Sequence, residues 1–141
     1  MAVILIFGCF LSQQSSNERV VNKLKKSGYE LSSIKVVKKY EYDYFSSLEL
    51  QKNEIDKLLI ENIDQMVLKK EGNNVKYTIE IIEFKEAKNC DFFLTNYFSK
   101  NQEFFKQPYY YESQKNKFYI LYVTKEADRK YLQDFVDSFR L

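Results

Sequence analysis

Residues 75–84, with the sequence VKYTIEIIEF, form the clearest strand pattern of this chain and decide its fold class. Apolar side chains fall on both sets of alternating positions: Tyr77, Ile79 and Ile81 on one set, Ile82 and Phe84 on the other. Successive side chains of a strand point to opposite faces of its sheet. We therefore expect the C-terminal end of this strand to be covered on both faces.

The remaining segments alternate between helix and strand patterns. The predicted elements are, in chain order, a helix at 15–31, a strand at 33–45, a helix from Asn53, a hairpin turn at 72–74, a strand at 75–84, a helix at 86–98, a strand at 118–123 and a helix from Thr124. This order predicts a single α+β domain with a mixed or antiparallel sheet of about four strands and helices mainly on one face. The strand–helix–strand unit ending at 123 also allows one parallel pair through a right-handed crossover.

The segment that begins at Asn53 has the strongest helical pattern. Asn53 is a favourable N-cap, and Glu54 and Asp56 place negative charge in the first turn, where the helix dipole favours it. Apolar residues recur at helical spacing along the segment: Ile55, Leu58, Leu59, Ile63 and Met66. This spacing predicts one helix that continues through residue 66.

The segment at 33–45 has a strand pattern rich in tyrosine. Tyr40, Tyr42 and Tyr44 alternate with charged residues, as in a half-buried strand with one face in water. Lys35, with its neighbours at 38 and 39, forms a mild basic cluster that a solvated strand face explains.

Composition narrows the possible chemistry. The chain has 141 residues, enough for one domain with its own core, and a formal net charge of +2, which gives no strong attraction to nucleic acid. It has no histidine, two cysteines and three glycines. These counts argue against a zinc site and a glycine-rich phosphate loop, so we predict no metal and no cofactor. Cys90 falls on the apolar face of the helix at 86–98 and is interpreted as a small core residue.

The N-terminal sequence MAVILIFGCF is uncharged and is followed by a polar stretch. An apolar run, the small residue Gly8 and then Cys9 resemble the processing site of bacterial lipoproteins, although no lysine or arginine precedes the run. The resemblance implies that the Cys9 thiol is lipidated and becomes the new N-terminus. Residues 1–14 would then be a signal-like segment and tether, and residues 15–141 a globular domain anchored in the cell envelope.

A different interpretation of the same segment remains open. Residues 2–7 have the length of a buried strand and precede a polar loop and a helix. In that case the chain is a cytoplasmic binding or regulatory module. A membrane-spanning helix is excluded, because about 20 apolar residues are needed to cross a bilayer.

The best candidate contact site lies in the long segment 99–117, which is predicted to be irregular. Tyr109, Tyr110 and Tyr111 follow the only proline, and Lys106 stands nearby. Loops often carry binding residues, and tyrosine offers contact area at low entropic cost. Simple packing of these rings onto the sheet is the stronger interpretation, because tyrosine is frequent throughout the chain.

No set of residues predicts catalysis. Glu80 and Glu83 lie on opposite faces of their strand and form no acid pair. We therefore predict a non-enzymatic domain, lipoprotein-like and anchored in the envelope, that binds an unknown protein or small ligand. The cytoplasmic module is the second hypothesis. An enzyme that uses tyrosine, lysine and carboxylate groups without a motif is the third.

Overall fold

One antiparallel sheet organises the computed structural model, which describes residues 16–70, 72, 76–101, 109–123 and 137. Its strands are, in chain order, β1 (Tyr29–Val36), β2 (Ile60–Lys70), β3 (Lys76–Phe84), β4 (Tyr109–Gln114) and β5 (Lys117–Val123). The spatial order is β1-β2-β3-β5-β4, and every neighbouring pair is antiparallel. Strand β3 is therefore central, and β1 is an edge strand.

Helices cover the sheet and connect its strands. The described α-helices are α1 (Ser16–Lys26), α2 (Asp43–Ser47), α3 (Lys52–Lys57) and α4 (Ala87–Phe93). A 3₁₀ turn at Lys39–Glu41 precedes α2, and a π-helical turn at Leu94–Phe98 extends α4.

The first face of the sheet, which we call the α1 face, packs against α1. On this face Tyr77, Ile79 and Ile81 of β3 lie beside buried residues of β2 and β5. Helix α1 covers them with Val20, Val21 and Leu24. The apolar stripe of α1 is thus buried against one set of alternating strand positions, which is the expected arrangement for an amphipathic helix on a sheet.

The opposite face, which we call the α4 face, has an aromatic core. Ile82 and Phe84 of β3 lie on it, and residues of α2, α3 and α4 cover them. Phe93 is at its centre and is fully buried. Its ring centroid lies 5.4 to 6.5 Å from those of Tyr44, Phe45, Phe84, Tyr97, Phe98 and Phe118. Aromatic pairs at such distances stabilise a core beyond the area that they bury.

The α+β class and the single, antiparallel sheet agree with the sequence, but three details differ. The sheet has five strands rather than about four, and described helices pack on both faces, so a preference for one face is not confirmed. The parallel crossover is wrong, because β3 and β5 are antiparallel. The additional strand β4 lies inside the segment predicted to be irregular. A turn that contains Lys115 connects β4 to β5.

The helix predicted through residue 66 is also wrong. Helix α3 ends at Lys57, and Leu59 adopts the left-handed conformation with φ 53°, after which β2 begins. A register shift between Ile60 and Asn62 places Ile60 and Ile63 on the same face. This bulge, together with burial on both faces, reproduces the spacing of a helix in what is a strand.

The strand predicted at 33–45 is displaced. The observed β1 begins at Tyr29 and ends at Val36, and residues beyond it form the 3₁₀ turn and α2. Tyr42 and Tyr44 are both buried on the α4 face, whereas Tyr40 is exposed. Their alternation with charges therefore arises from short helical turns and not from a pleated strand.

Several predictions agree with the structure. Helix α4 and its π-helical extension fall within 86–98, β3 and β5 match the predicted strands within one residue, and β2 and β3 flank Gly72 as an antiparallel pair. Gly28 follows α1 with φ 89°, as expected for a residue after a helix end. Residues 1–14, Lys106 and the helix from Thr124, apart from residue 137, lie outside the described residues.

Candidate functional site

The tyrosine triplet forms part of edge strand β4 rather than an irregular loop. The ring of Tyr111 contacts Phe98 and Phe118, with centroids 4.7 and 5.9 Å apart. Tyr110 packs against the α1-face core, and its hydroxyl donates to Glu112 Oε2 at 2.7 Å. Two of the three rings therefore have packing partners in the domain.

The most unusual polar group of the described residues is Glu80, at the middle of β3 on the α4 face. Only 5% of its surface is exposed. Gln65 on the neighbouring strand donates its side-chain amide to Glu80 Oε1 at 2.9 Å. The hydroxyls of Tyr42 and Tyr122 lie beside the same carboxylate. Within the described residues, Glu80 Oε2 and Tyr42 Oη have no hydrogen-bond partner of standard geometry.

Burial controls the acidity of this group. It raises the pKa of Glu80, and the nearby hydroxyls of Tyr42 and Tyr122, together with the hydrogen bond from Gln65, offset only part of that effect. Burial likewise raises the pKa of Tyr42 well above its usual range, with the neighbouring Glu80 as the next cause. A buried carboxyl with a raised pKa has the character of a general acid or base. Such chemistry also requires access for a substrate, and Glu80 lines neither the cleft where β1 ends and β2 begins nor the cleft between α1 and β1.

One of these clefts lies where β1 ends and β2 begins, and we call it the Tyr40 cleft. It is open to solvent and has a volume of about 360 Å³. Its lining consists of Val36, Val37, Lys38, Lys39, Tyr40, Ile60, Glu61, Asn62 and Ile63. Ile60 and Ile63 are buried, so the cleft has an apolar floor, and its rim carries two lysines, an amide and the carboxylate of Glu61. Ligand pockets commonly combine these features at this size.

Tyr40 is held in place by a small charged network. Its hydroxyl donates a hydrogen bond to Asp56 Oδ1, and Asp56 Oδ1 also forms an ion pair with Lys39 Nζ at 3.1 Å. The ammonium groups of Lys39 and Lys52 each lie 5.1 Å from the Tyr40 ring centroid, within cation–π range. An exposed tyrosine ring is thus fixed at the rim before any ligand arrives.

The charges of this network support one another. The hydrogen bond from Tyr40, followed by that from Lys39, lowers the pKa of Asp56 below its usual value. Partial burial lowers the pKa of Lys39, but the bonds with Asp56 and Tyr40 outweigh it, so that pKa is raised. Both groups therefore remain charged across the neutral range.

Sequence reasoning identified parts of this cleft but not the cleft itself. Lys38 and Lys39 were visible as a basic cluster, and Tyr40 as one of an alternating set. Their contact with residues 60–63 depends on the pairing of β1 with β2, including the hydrogen bond from Val37 N to Ile63 O at 2.8 Å. The one sequence signal was the basic cluster beside an aromatic residue.

The second cleft lies between α1 and β1 on the α1 face and also measures about 360 Å³. Leu31, Ile34, Met66 and Val21 form its apolar part, with polar residues of α1 at its rim. Ile34 is 61% exposed, so this cleft leads directly to the open edge of β1.

Cys90 is fully buried in α4, as expected for a core thiol, and burial raises its pKa to about 12. Such a thiol stays protonated and is a weak nucleophile. Among the residues that the structure describes, no cluster of three or more histidine, cysteine or acidic side chains is suited to a metal ion. In the same part of the chain, no helix has the length and apolarity that a bilayer crossing requires.

Comparisons of the chain with protein-family models, with curated proteins and with solved structures found no match.

Proposed function

We propose that this chain is a non-enzymatic binding domain whose ligand occupies the Tyr40 cleft. The observation that carries this proposal is the cleft itself, an open cavity of about 360 Å³ with an apolar floor and a rim of lysines around a fixed tyrosine ring. The buried acid of the domain, Glu80, lies elsewhere and is enclosed by tyrosines.

The lining of the cleft indicates the chemistry of its ligand. Ile60, Ile63 and Val37 favour an apolar group that is removed from water, since each Å² of buried apolar surface contributes about 25 cal/mol. Asp56 neutralises Lys39, whereas Lys38 makes no ion pair with any described residue. A ligand with a short apolar chain and an anionic end would satisfy both parts of the lining.

Titration with octanoate tests this proposal. In an isotopically labelled chain we expect amide shifts at residues 38–40 and 60–63, and much weaker shifts with octan-1-ol, which has the same chain without the charge. Lys38→Glu should abolish the response to octanoate. Lys57→Glu, an exposed change on α3 outside the cleft, is the matched control and should leave it unchanged. Shifts that map to another surface, or no shifts at all, would reject the cleft as the site.

We also propose that the domain is tethered at the cell envelope through Cys9. The resemblance of residues 1–9 to a lipoprotein processing site supports this anchor, and Ser16, where α1 begins, is only seven positions further along. Expression in a bacterium and mass measurement of the mature chain test it. Loss of residues 1–8 with lipid on Cys9 is expected, and Cys9→Ala should release the protein from membranes. An intact, unmodified chain would favour the cytoplasmic alternative.

A further inference from the structure

The edge of β1 is open in an unusual way. Ile34 and Val36 are 61% and 69% exposed, although both are large apolar residues in a strand. Val37 donates its N–H to Ile63 O, and hydrogen-bonded and non-hydrogen-bonded pairs alternate in an antiparallel ladder. The N–H and C=O groups of Ile34 and Val36 therefore point away from β2, and no strand among the described residues pairs with them.

A bulge near the middle of β1 changes which residues share a face. The register shifts between Leu31 and Ser33, and the Ser32 hydroxyl donates to Val67 O at 2.9 Å. Because one extra residue is inserted, Leu31 and Ile34 lie on the same face, the α1 face, although they are three positions apart. The same alternation gives Tyr29 and Leu31 outward-pointing backbone groups on the other side of the bulge.

These facts make β1 complementary to itself. If two copies of β1 pair antiparallel about a two-fold axis between Ser32 and Ser33, Leu31 of one copy lies opposite Ile34 of the other, and Tyr29 opposite Val36. Each of these four residues has outward backbone groups and an apolar side chain on the α1 face. In this register, the outward-pointing backbone groups of the two copies face each other, and the apolar side chains all lie on the α1 face. A strand without the bulge would not allow both.

The charged residues of β1 also fit this antiparallel pairing of two copies. Glu30 and Lys35 are both exposed and lie on the α4 face of the strand. Within its own sheet Glu30 lies opposite Lys69, whereas Lys35 lies opposite Gln65, which is uncharged. In the paired arrangement Glu30 of each copy lies opposite Lys35 of the other, so the two-fold axis produces two cross-strand pairs of opposite charge.

We propose that this protein forms a homodimer through β1, in which the two sheets join into one continuous antiparallel sheet. Lys35 and the bulge discourage pairing with an arbitrary strand, as charged residues and bulges at sheet edges commonly do. They favour a second copy, because only a matching strand supplies Glu30 opposite Lys35 and a second bulge at the axis. Ile34, at the mouth of the cleft beside α1, is covered on dimerisation.

Reversal of charge on the full chain tests the dimer and its register together. Sedimentation velocity should show a dimer for the wild type. Glu30→Lys and Lys35→Glu should each weaken dimerisation by about tenfold or more, because the symmetry repeats each like-charged contact. The double variant E30K/K35E should restore it. Both positions are exposed, so circular dichroism should show an unchanged fold.

Lys88→Glu, an exposed change on α4, which packs against β3 and β5, is the control and should dimerise as the wild type does. A monomer at high micromolar concentration would overturn the proposal. Association that ignores the single reversals would do the same, because it would indicate contact through another segment such as residues 2–7. Failure of the double variant to restore the dimer would reject the register. Glu30 and Lys35 do not line the Tyr40 cleft, so octanoate binding reports separately on the function proposed above.

Discussion

The middle of β3 and the network beside the Tyr40 cleft each hold a carboxylate next to a tyrosine hydroxyl, yet the two carboxylates differ in exposure. Glu80 is buried among Tyr42, Tyr122 and Gln65, and its pKa is raised by burial. Asp56 is exposed beside Tyr40, and its pKa is lowered by hydrogen bonds. A carboxylate beside tyrosine is thus enclosed with a raised pKa in one place, and accessible with a lowered pKa in the other.

The two sites therefore differ in the chemistry that each can offer. Catalysis needs a group of suitable acidity that a substrate can reach, and neither site combines the two properties. The binding role proposed for the Tyr40 cleft depends on its lysines, its aromatic ring and its apolar floor.

The largest effect is expected in the core that encloses Glu80. Phe93→Ala should lower the free energy of unfolding by about 3–5 kcal/mol, because it leaves a cavity among six aromatic neighbours. Phe92→Ala is the matched control, since Phe92 is 52% exposed and should cost far less. Chemical denaturation measures both. Equal losses would mean that the aromatic core is not packed as described.

Tyr111→Ala should have an intermediate effect. Its ring contacts Phe98 and Phe118, so its removal should cost about 2 kcal/mol. Octanoate binding at the Tyr40 cleft should be unchanged, because Tyr111 does not line it. If the variant kept its stability but lost octanoate binding, the result would indicate that the tyrosine triplet is a binding site.

Glu80→Gln should stabilise the domain at neutral pH. The folded-state pKa of Glu80 lies above that of the unfolded chain, so the wild type loses stability as pH rises from the usual glutamate range to the raised value. Glutamine does not titrate, and each unit of pKa difference amounts to about 1.4 kcal/mol. The unfolding temperatures of the wild type and of Glu80→Gln should diverge as the pH rises from acidic to neutral. A less stable variant at neutral pH would show that hydrogen bonds to the carboxylate outweigh its burial.

The smallest effect is expected at the exposed network. Tyr40→Phe removes the hydroxyl that donates to Asp56, so the pKa of Asp56 should rise toward 3.8, its usual value. Stability at neutral pH should hardly change, since the network is exposed. Titration followed by NMR measures the shift. Glu86, whose pKa is lowered by Lys88, is an internal control and should not move.

The elements predicted correctly from the sequence are those in which buried residues recur at the regular period of a strand or of a helix. Strand β3 carries apolar residues in both alternating sets, and α4 buries Cys90 and Phe93 on one side, so each pattern reflects its packing directly. Strand β5 is predicted for the same reason. Gly28 marks the end of α1 because glycine adopts a positive φ at little cost.

The failures arise where the backbone departs from a regular period. The bulge after Ile60 gives β2 helical spacing, and Leu59 ends α3 in a left-handed conformation that glycine normally supplies. The Tyr40 cleft was not predictable for a related reason. It joins residues 36–40 to residues 60–63, and their proximity follows from strand register, which sequence pattern did not determine.

Parallel titrations of the wild type, Glu80→Gln and Lys38→Glu with octanoate test the central claim most directly. If recognition occurs in the open cleft and the enclosed acid has no part in it, Glu80→Gln should bind octanoate with wild-type affinity and Lys38→Glu should not bind it. Binding lost in Glu80→Gln and retained in Lys38→Glu would contradict the account, because it would assign the functional chemistry to the buried carboxyl group.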